Sequence, residues 1–143
     1  MTTQAFFQRE FASALDEVGG TLQDALAALR ERDWIDAGQE FYARLCLEEA
    51  LVNAVTHGND SDPSRSVRIE MAEDGDVCVI RVFDEGEGFS PADVRPPDTE
   101  QMDGRGICLI RYCMEQVEYD ASEHCLIMKM RRNALCQGGS RNG

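Results

Sequence analysis

The segment at residues 36–57 is the strongest predicted helix in the chain, and it is apolar on nearly every side. Asp36 can cap its start, no proline interrupts it, and Gly58-Asn59 marks its end. A helix that is apolar all round is buried, so the rest of the chain must cover it. Its apolar residues include Phe41, Leu45, Leu47, Leu51, Val52, Ala54 and Val55.

The remaining segments predict a second helix and a set of strands. Residues 15–32 have a helical period, although Gly19-Gly20 interrupts it and can split or delay the helix. Asp74-Gly75 lies between two apolar runs and predicts a β-hairpin. The predicted strands are 67–71, 77–83, 117–119 and 125–130, whereas 4–13 fits a short strand or a helix start. A further amphipathic helix is predicted to open at 104–106.

Helices and antiparallel strands in this order predict a single α+β domain. We expect a two-layer α/β sandwich with a mixed, mainly antiparallel sheet over residues 1–132. The chain of 143 residues is of ordinary size for one domain. Residues 133–143 are mostly Gly, Ser, Arg and Asn, which predicts a flexible C-terminal tail.

The charge balance narrows the classes of function. The formal net charge is −13, and Lys129 is the only lysine. An acidic surface repels nucleic acid and anionic lipid, so we expect neither as a partner. A phosphate loop of the Gly-x-x-x-x-Gly-Lys type cannot be written in this chain.

The cysteines and the N-terminus predict a cytoplasmic protein. None of the six cysteines forms a C-x-x-C pair and most lie in apolar runs, so we expect buried free thiols and no zinc site. The chain begins without a basic-then-apolar signal segment, and its apolar runs are too short to cross a bilayer.

The first candidate motif lies on the apolar helix. Glu49 and Asn53 are four residues apart and therefore project from one face, with His57 one turn further on. Polar groups on such a helix must either pair with neighbouring backbone or line a ligand cavity. An amide oxygen suits Mg²⁺, and a carboxylate one turn earlier can accept a proton from a hydroxyl. The residues themselves leave both interpretations open.

The second motif, Asp84-Glu85-Gly86-Glu87-Gly88-Phe89, directly follows an apolar strand. Glycines at alternate positions let the backbone approach a planar ligand closely. Asp84, at the strand end, can accept a hydrogen bond from an exocyclic amine such as that of adenine. A simple glycine-containing turn explains the same pattern.

The third motif, Asp103-Gly104-Arg105-Gly106, opens an amphipathic helix. Free N–H groups and the positive end of the helix dipole make such a start a phosphate site. A plain helix cap is the alternative, but a cap alone does not require two glycines around an arginine.

The three motifs in this order resemble the nucleotide-binding boxes of the GHKL superfamily of histidine-kinase-like ATPases. Within it, Glu49-Ala-x-x-Asn53-Ala-x-x-His57-Gly58 and Gly104-Arg105-Gly106-Ile107-x-Leu109-Ile110 look like the anti-sigma-factor serine/threonine kinases. The resemblance covers roughly residues 15–130. It implies the Bergerat fold and binding of ATP with Mg²⁺.

The resemblance also implies roles for individual residues. Glu49 would be the general base for a serine or threonine hydroxyl, Asn53 would bind Mg²⁺, and Asp84 would recognise the adenine amino group. Gly86, Gly88, Gly104, Arg105 and Gly106 would contact the nucleotide, and residues 90–103 would form a lid over it. The implied partners are a STAS-type anti-anti-sigma protein as substrate, a sigma factor or other effector, and a second copy in a homodimer.

Three other functions compete with this interpretation. A non-catalytic regulator would bind ATP and switch partners without phosphate transfer, although the intact Glu49 argues against it. A sensor histidine kinase fragment needs an upstream phosphoacceptor histidine, yet the only histidines are His57 and His124. A DNA-topology or chaperone-type ATPase needs a second domain with a phosphate-sensing lysine, for which we expect no room.

Overall fold

The computed structural model describes residues 4–85, 110–132 and 134–135. The described strands form one five-stranded sheet in the order β1-β2-β3-β5-β4, and every pairing between them is antiparallel. Their bounds are β1 Gln4–Ala12, β2 Ser66–Asp74, β3 Val77–Phe83, β4 Gln116–Asp120 and β5 Cys125–Arg131. The first segment, for which the sequence left two alternatives, is therefore a strand.

The β2–β3 hairpin forms where the sequence predicts it. Asp74 pairs with Val77, so Gly75 and Asp76 make the two-residue loop between the strands. Gly75 has a φ of +62°, a conformation that glycine adopts without the steric cost of a β-carbon. This turn sets the register between β2 and β3.

The helices lie in the connection between β1 and β2. A 3-10 turn, Leu15–Glu17, leads into α1, Val18–Glu31, and α2, Glu40–Asn53, continues into a π-helical turn, Ala54–Gly58. Gly19-Gly20 does not split α1 but forms part of its first turn. Residues 110–113 are also helical.

Two features of α2 differ from the prediction. The helix begins at Glu40 and not at Asp36, because Asp36 Oδ1 accepts a hydrogen bond from the Gln39 amide (3.0 Å) in a turn before the helix. Its first turn is also not buried, since Phe41 is 62% exposed. Burial begins at Ala43 and continues along the rest of the helix on the side facing the sheet.

The core lies between the two helices and one face of the sheet. Alternate residues of β3, namely Cys78, Ile80 and Val82, belong to the same buried cluster as Leu26 of α1 and Leu51 of α2. Residues of β2 and β5 join it with the same alternation: Val67, Ile69, Met71, Leu126, Met128 and Met130. This confirms the predicted α+β two-layer architecture.

The chain after β5 packs onto the connection between α1 and α2. The Arg132 guanidinium lies 4.0 Å from the centre of the fully buried Trp34 ring and donates to the carbonyl oxygen of Arg32. The backbone of Leu135 both donates to and accepts from the Gln39 side chain. Leu135 is itself buried, so this residue packs onto the domain.

Four cysteines fall within the described residues. Cys46, Cys78 and Cys125 are free and buried, as expected. Cys113 is disulfide-bonded, which corrects the expectation of free thiols alone. Among the described helices, none has the length and apolar character needed to cross a membrane.

Candidate nucleotide site

The last turns of α2 carry the first pair of candidate residues. Glu49 is half-buried, and Asn53 is only 5% exposed. The neighbouring Glu48 is exposed, which agrees with its position about a quarter-turn from Glu49. Glu49 and Asn53 are thus both less exposed than Glu48 at this end of the helix.

The charge of Glu49 acts on Cys46, its neighbour one turn earlier in the helix. Burial raises the pKa of the Cys46 thiol to about 12, and the negative charge of Glu49 adds to the increase. Glu49 therefore lies close enough to the buried Cys46 for its charge to act on that thiol.

Asn53 has an unsatisfied amide. Its Nδ2 is buried and has no hydrogen-bond partner among the described residues. Burying an unpaired donor costs free energy, and few such groups survive in native proteins without a function or a ligand. The amide therefore leaves a buried donor open at the helix end, as far as the described residues go.

A π-helical turn follows Asn53 directly. The Asn59 amide donates to the Ala54 carbonyl over five residues (2.9 Å), and the Ser61 amide reaches back to Val55 (2.7 Å). Such turns are rare and occur frequently at functional sites. The wider turn also ends the four-residue spacing that would stack His57 above Asn53, and His57 is exposed.

Asp84 reaches the same region from the sheet. It follows β3 and continues the alternation of Cys78, Ile80 and Val82, which places it on the face covered by the helices. Asp84 is 8% exposed, and its amide donates to the His124 carbonyl (3.1 Å). Its carboxyl group packs directly against Gly58, so the strand end and the helix end meet at these two residues.

Asn59 links the two elements through its side chain, and sequence reasoning gave it no role beyond the helix end. It is fully buried, accepts from the Glu85 amide through Oδ1 (2.8 Å) and donates to the Ser66 carbonyl through Nδ2 (2.9 Å). The Glu85 carboxylate in turn accepts from the Ser66 amide (3.0 Å). The only sequence signal for it was an asparagine directly after the helix-terminating glycine.

The described side chains of the site fit a Mg²⁺ ion that is bound together with a nucleotide better than a metal ion held by protein ligands alone. Among the described residues, no group of three or more His, Cys, Asp or Glu is placed to hold a metal ion. Magnesium in nucleotide sites takes one or two protein ligands and completes its shell with phosphate oxygens and water. The Asn53 side chain would serve as that protein ligand, and its unpaired amide offers a donor to a phosphate.

The other candidate residues lie outside the described parts of the chain. They are Gly86, Gly88, Gly104, Arg105, Gly106 and the predicted lid at 90–103. Their predicted contacts with phosphate remain predictions. The described part of the site thus comprises the end of α2, the π-helical turn and the Asp84-Glu85 corner.

Comparison with known proteins supplies an independent finding. A family model described as a histidine kinase-like ATPase domain matches residues 11–132, which is most of the chain. No curated protein matches it.

Proposed function

Since the chain belongs to the histidine kinase-like ATPase family, we propose that it is an ATP-dependent serine/threonine protein kinase. The family match confirms the superfamily predicted from the motifs and makes the chain an ATP-binding protein. We propose further that it acts in the cytoplasm as an anti-sigma factor, that it phosphorylates a STAS-type anti-anti-sigma protein, and that it switches between this substrate and a sigma factor or other effector.

One observation carries the proposal of a catalytic role. Glu49 lies one turn before Asn53, which is buried with an unpaired amide, and the helix that bears both ends against Asp84. A purely structural helix would satisfy that amide with backbone or fill its position with an apolar residue. A carboxylate and an amide retained at this spacing supply a proton acceptor and a neutral oxygen ligand.

The proposed reaction uses each described residue in a distinct way. The carboxyl group of Asp84 accepts a hydrogen bond from the adenine amino group and orients the nucleotide. Asn53 would hold Mg²⁺ through its side-chain oxygen, and the ion would supply positive charge opposite the phosphates. Glu49 accepts the proton of the substrate hydroxyl. The hydroxyl oxygen bonds to the γ-phosphorus, while the bond from that phosphorus to the ADP oxygen breaks.

The experiment that tests the proposal compares two adjacent carboxylates. Wild type, Glu49→Gln and Glu48→Gln are each used to capture proteins from the native lysate with labelled ATP and Mg²⁺. We expect wild type and Glu48→Gln to transfer phosphate to serine or threonine of a small captured protein. Glu49→Gln should bind ATP with wild-type affinity but lose transfer by roughly 10²- to 10⁴-fold, the usual contribution of a general base.

The outcomes separate the competing functions. Transfer at the wild-type rate by Glu49→Gln would contradict its role as the base. Capture of a partner without any phosphorylation, together with measurable ATP binding, would instead support a non-catalytic regulator that switches protein partners.

A further inference from the structure

The contacts of Asn59 define a role that is separate from those of the candidate nucleotide ligands. Its amide side chain joins the end of the helical layer to two strands at once, through Glu85 after β3 and Ser66 at the start of β2. Both bonds are made to backbone groups, and the residue is fully buried. A buried amide with an acceptor and a donor both satisfied is held in one orientation.

These bonds fix the backbone on both sides of Asp84. The Asp84 amide is bound to the His124 carbonyl, and the next amide, that of Glu85, is bound to Asn59 Oδ1. Two consecutive peptide groups are therefore anchored to different elements. The Asp84 side chain leaves the backbone between these two anchors, and its carboxyl group lies against Gly58 at the helix end.

Glu85 strengthens the same connection. The Glu85 carboxylate accepts a hydrogen bond from the Ser66 amide. The carbonyl oxygen of Ser66 in turn accepts a hydrogen bond from the Asn59 side chain. Asn59, Ser66 and Glu85 thus form a closed ring of three hydrogen bonds that places the Asp84-Glu85 corner relative to the π-helical turn.

We propose that Asn59 is a positioning residue that sets nucleotide base selectivity by holding Asp84. This inference rests on the proposed function, in which Asp84 accepts a hydrogen bond from the adenine amino group. A hydrogen bond to a carboxylate discriminates only if the acceptor stays within a few tenths of an ångström of its place, because its strength falls steeply with distance and angle. Asn59 does not touch the base; it acts through the corner that bears Asp84.

The test measures dissociation constants for ATP and for inosine triphosphate, in which a carbonyl oxygen replaces the adenine amino group. Wild type should prefer ATP by about 10- to 100-fold, the range expected for a hydrogen bond to a charged group. Asp84→Asn should abolish this preference. Asn59→Ala should reduce it by about 5- to 10-fold. The double variant should show the same ratio of dissociation constants as Asp84→Asn alone, since both residues act through one carboxyl group.

A matched control is available at the other end of the same helix. Gln39 is also a buried amide with one accepted and one donated bond to backbone, both to Leu135. It lies about 20 residues before Asn59, on the order of 30 Å along the helix. Gln39→Ala should lower the melting temperature as Asn59→Ala does, yet keep the wild-type ratio of the two dissociation constants.

A conservative variant covers the case in which Asn59→Ala fails to fold. Asn59→Ser keeps an uncharged group that can donate or accept one hydrogen bond, but its side chain is too short to hold both Glu85 and Ser66. Its preference for ATP should lie between those of wild type and Asp84→Asn.

The failures are distinguishable. Equal weakening of ATP and inosine triphosphate by both Asn59 variants, with wild-type preference intact, would overturn the positioning role alone. Absence of any preference in wild type would overturn the adenine assignment of Asp84, and the role of Asn59 would fall with it.

Discussion

Gly58 and Asp84 are packed so closely that no side chain fits between them. A β-carbon built on Gly58 would lie 2.5 Å from the carboxyl carbon of Asp84 and 2.8 Å from its β-carbon. Atoms without a bond between them do not approach to these distances. The glycine is therefore required by the position of a carboxyl group 26 residues away in the chain, and not by its own backbone conformation.

Substitution of this glycine should affect ligand binding and stability together. Gly58→Ala forces the Asp84 side chain or the strand end to move, and overpacking of this kind costs about 1–3 kcal/mol of unfolding free energy. We expect ATP affinity to fall by at least about tenfold because Asp84 is displaced. Calorimetric titration and urea denaturation measure the two effects.

Gly20→Ala is the control for this prediction. Gly20 lies in the first turn of α1 with nothing within 4 Å of an added β-carbon. Alanine in a helix is favoured over glycine by up to about 1 kcal/mol, so this variant should be more stable and bind ATP normally. Wild-type ATP affinity in Gly58→Ala would contradict the assignment of Asp84 to the site.

Asn53→Ala should separate stability from binding. Within the part of the chain that the structure describes, the buried Nδ2 has no partner to lose. Alanine is also the better helix former, so the unfolding free energy should change by less than about 1 kcal/mol. Affinity for ATP in the presence of Mg²⁺ should fall by about tenfold or more, with a much smaller change in EDTA. Equal loss with and without Mg²⁺ would contradict its role as a magnesium ligand.

Leu135→Ala should reveal that the segment after β5 belongs to the core. Leu135 is 1% exposed, and truncation of such a leucine typically costs about 2–5 kcal/mol. Leu15→Ala makes the same chemical change at a residue that is 56% exposed and should cost less than about 1 kcal/mol. Similar midpoints of urea denaturation for the two variants would show that Leu135 is not packed.

Alkaline pH should destabilise the protein through its buried thiols. Burial, the largest cause, raises the pKa of Cys78 from 9.0 to about 12, so between these values only the folded chain keeps the proton. The contribution is complete below pH 9 and is lost as pH rises towards 12. Its slope is at most about 1.4 kcal/mol per pH unit. Urea denaturation from pH 8 to 11 should show that the unfolding free energy falls less steeply with pH for Cys78→Val than for wild type. Identical pH dependence in the two proteins would exclude the thiol as the source.

Local patterns predicted most of the architecture. The strand β3 and its hairpin turn follow from an apolar run next to Asp74-Gly75, and α2 follows from its apolar content without proline. These features depend on residues that are close in the chain. The same holds for Glu49 and Asn53, whose spacing alone places them on one face.

The structure differs from the sequence-based prediction where a residue can form two local structures, or where residues distant in the chain are in contact. Asp36 can cap a helix or close a short turn, and it makes the turn, so α2 begins later than its composition suggested. The connections of Gly58 with Asp84 and of Asn59 with Glu85 each span 26 residues. The burial of Leu135 against Gln39 spans 96 residues. No periodicity reports contacts of this kind.

The π-helical turn at Ala54–Gly58 places a constraint on chain length. Deletion of one residue there would restore regular α-helical bonding, but it would rotate every later residue by about 100° around the helix axis. Asn59 would then leave the Glu85 amide, and the glycine would no longer face Asp84. Substitutions at Thr56 or His57 should therefore be tolerated better than an insertion or deletion between Asn53 and Asn59.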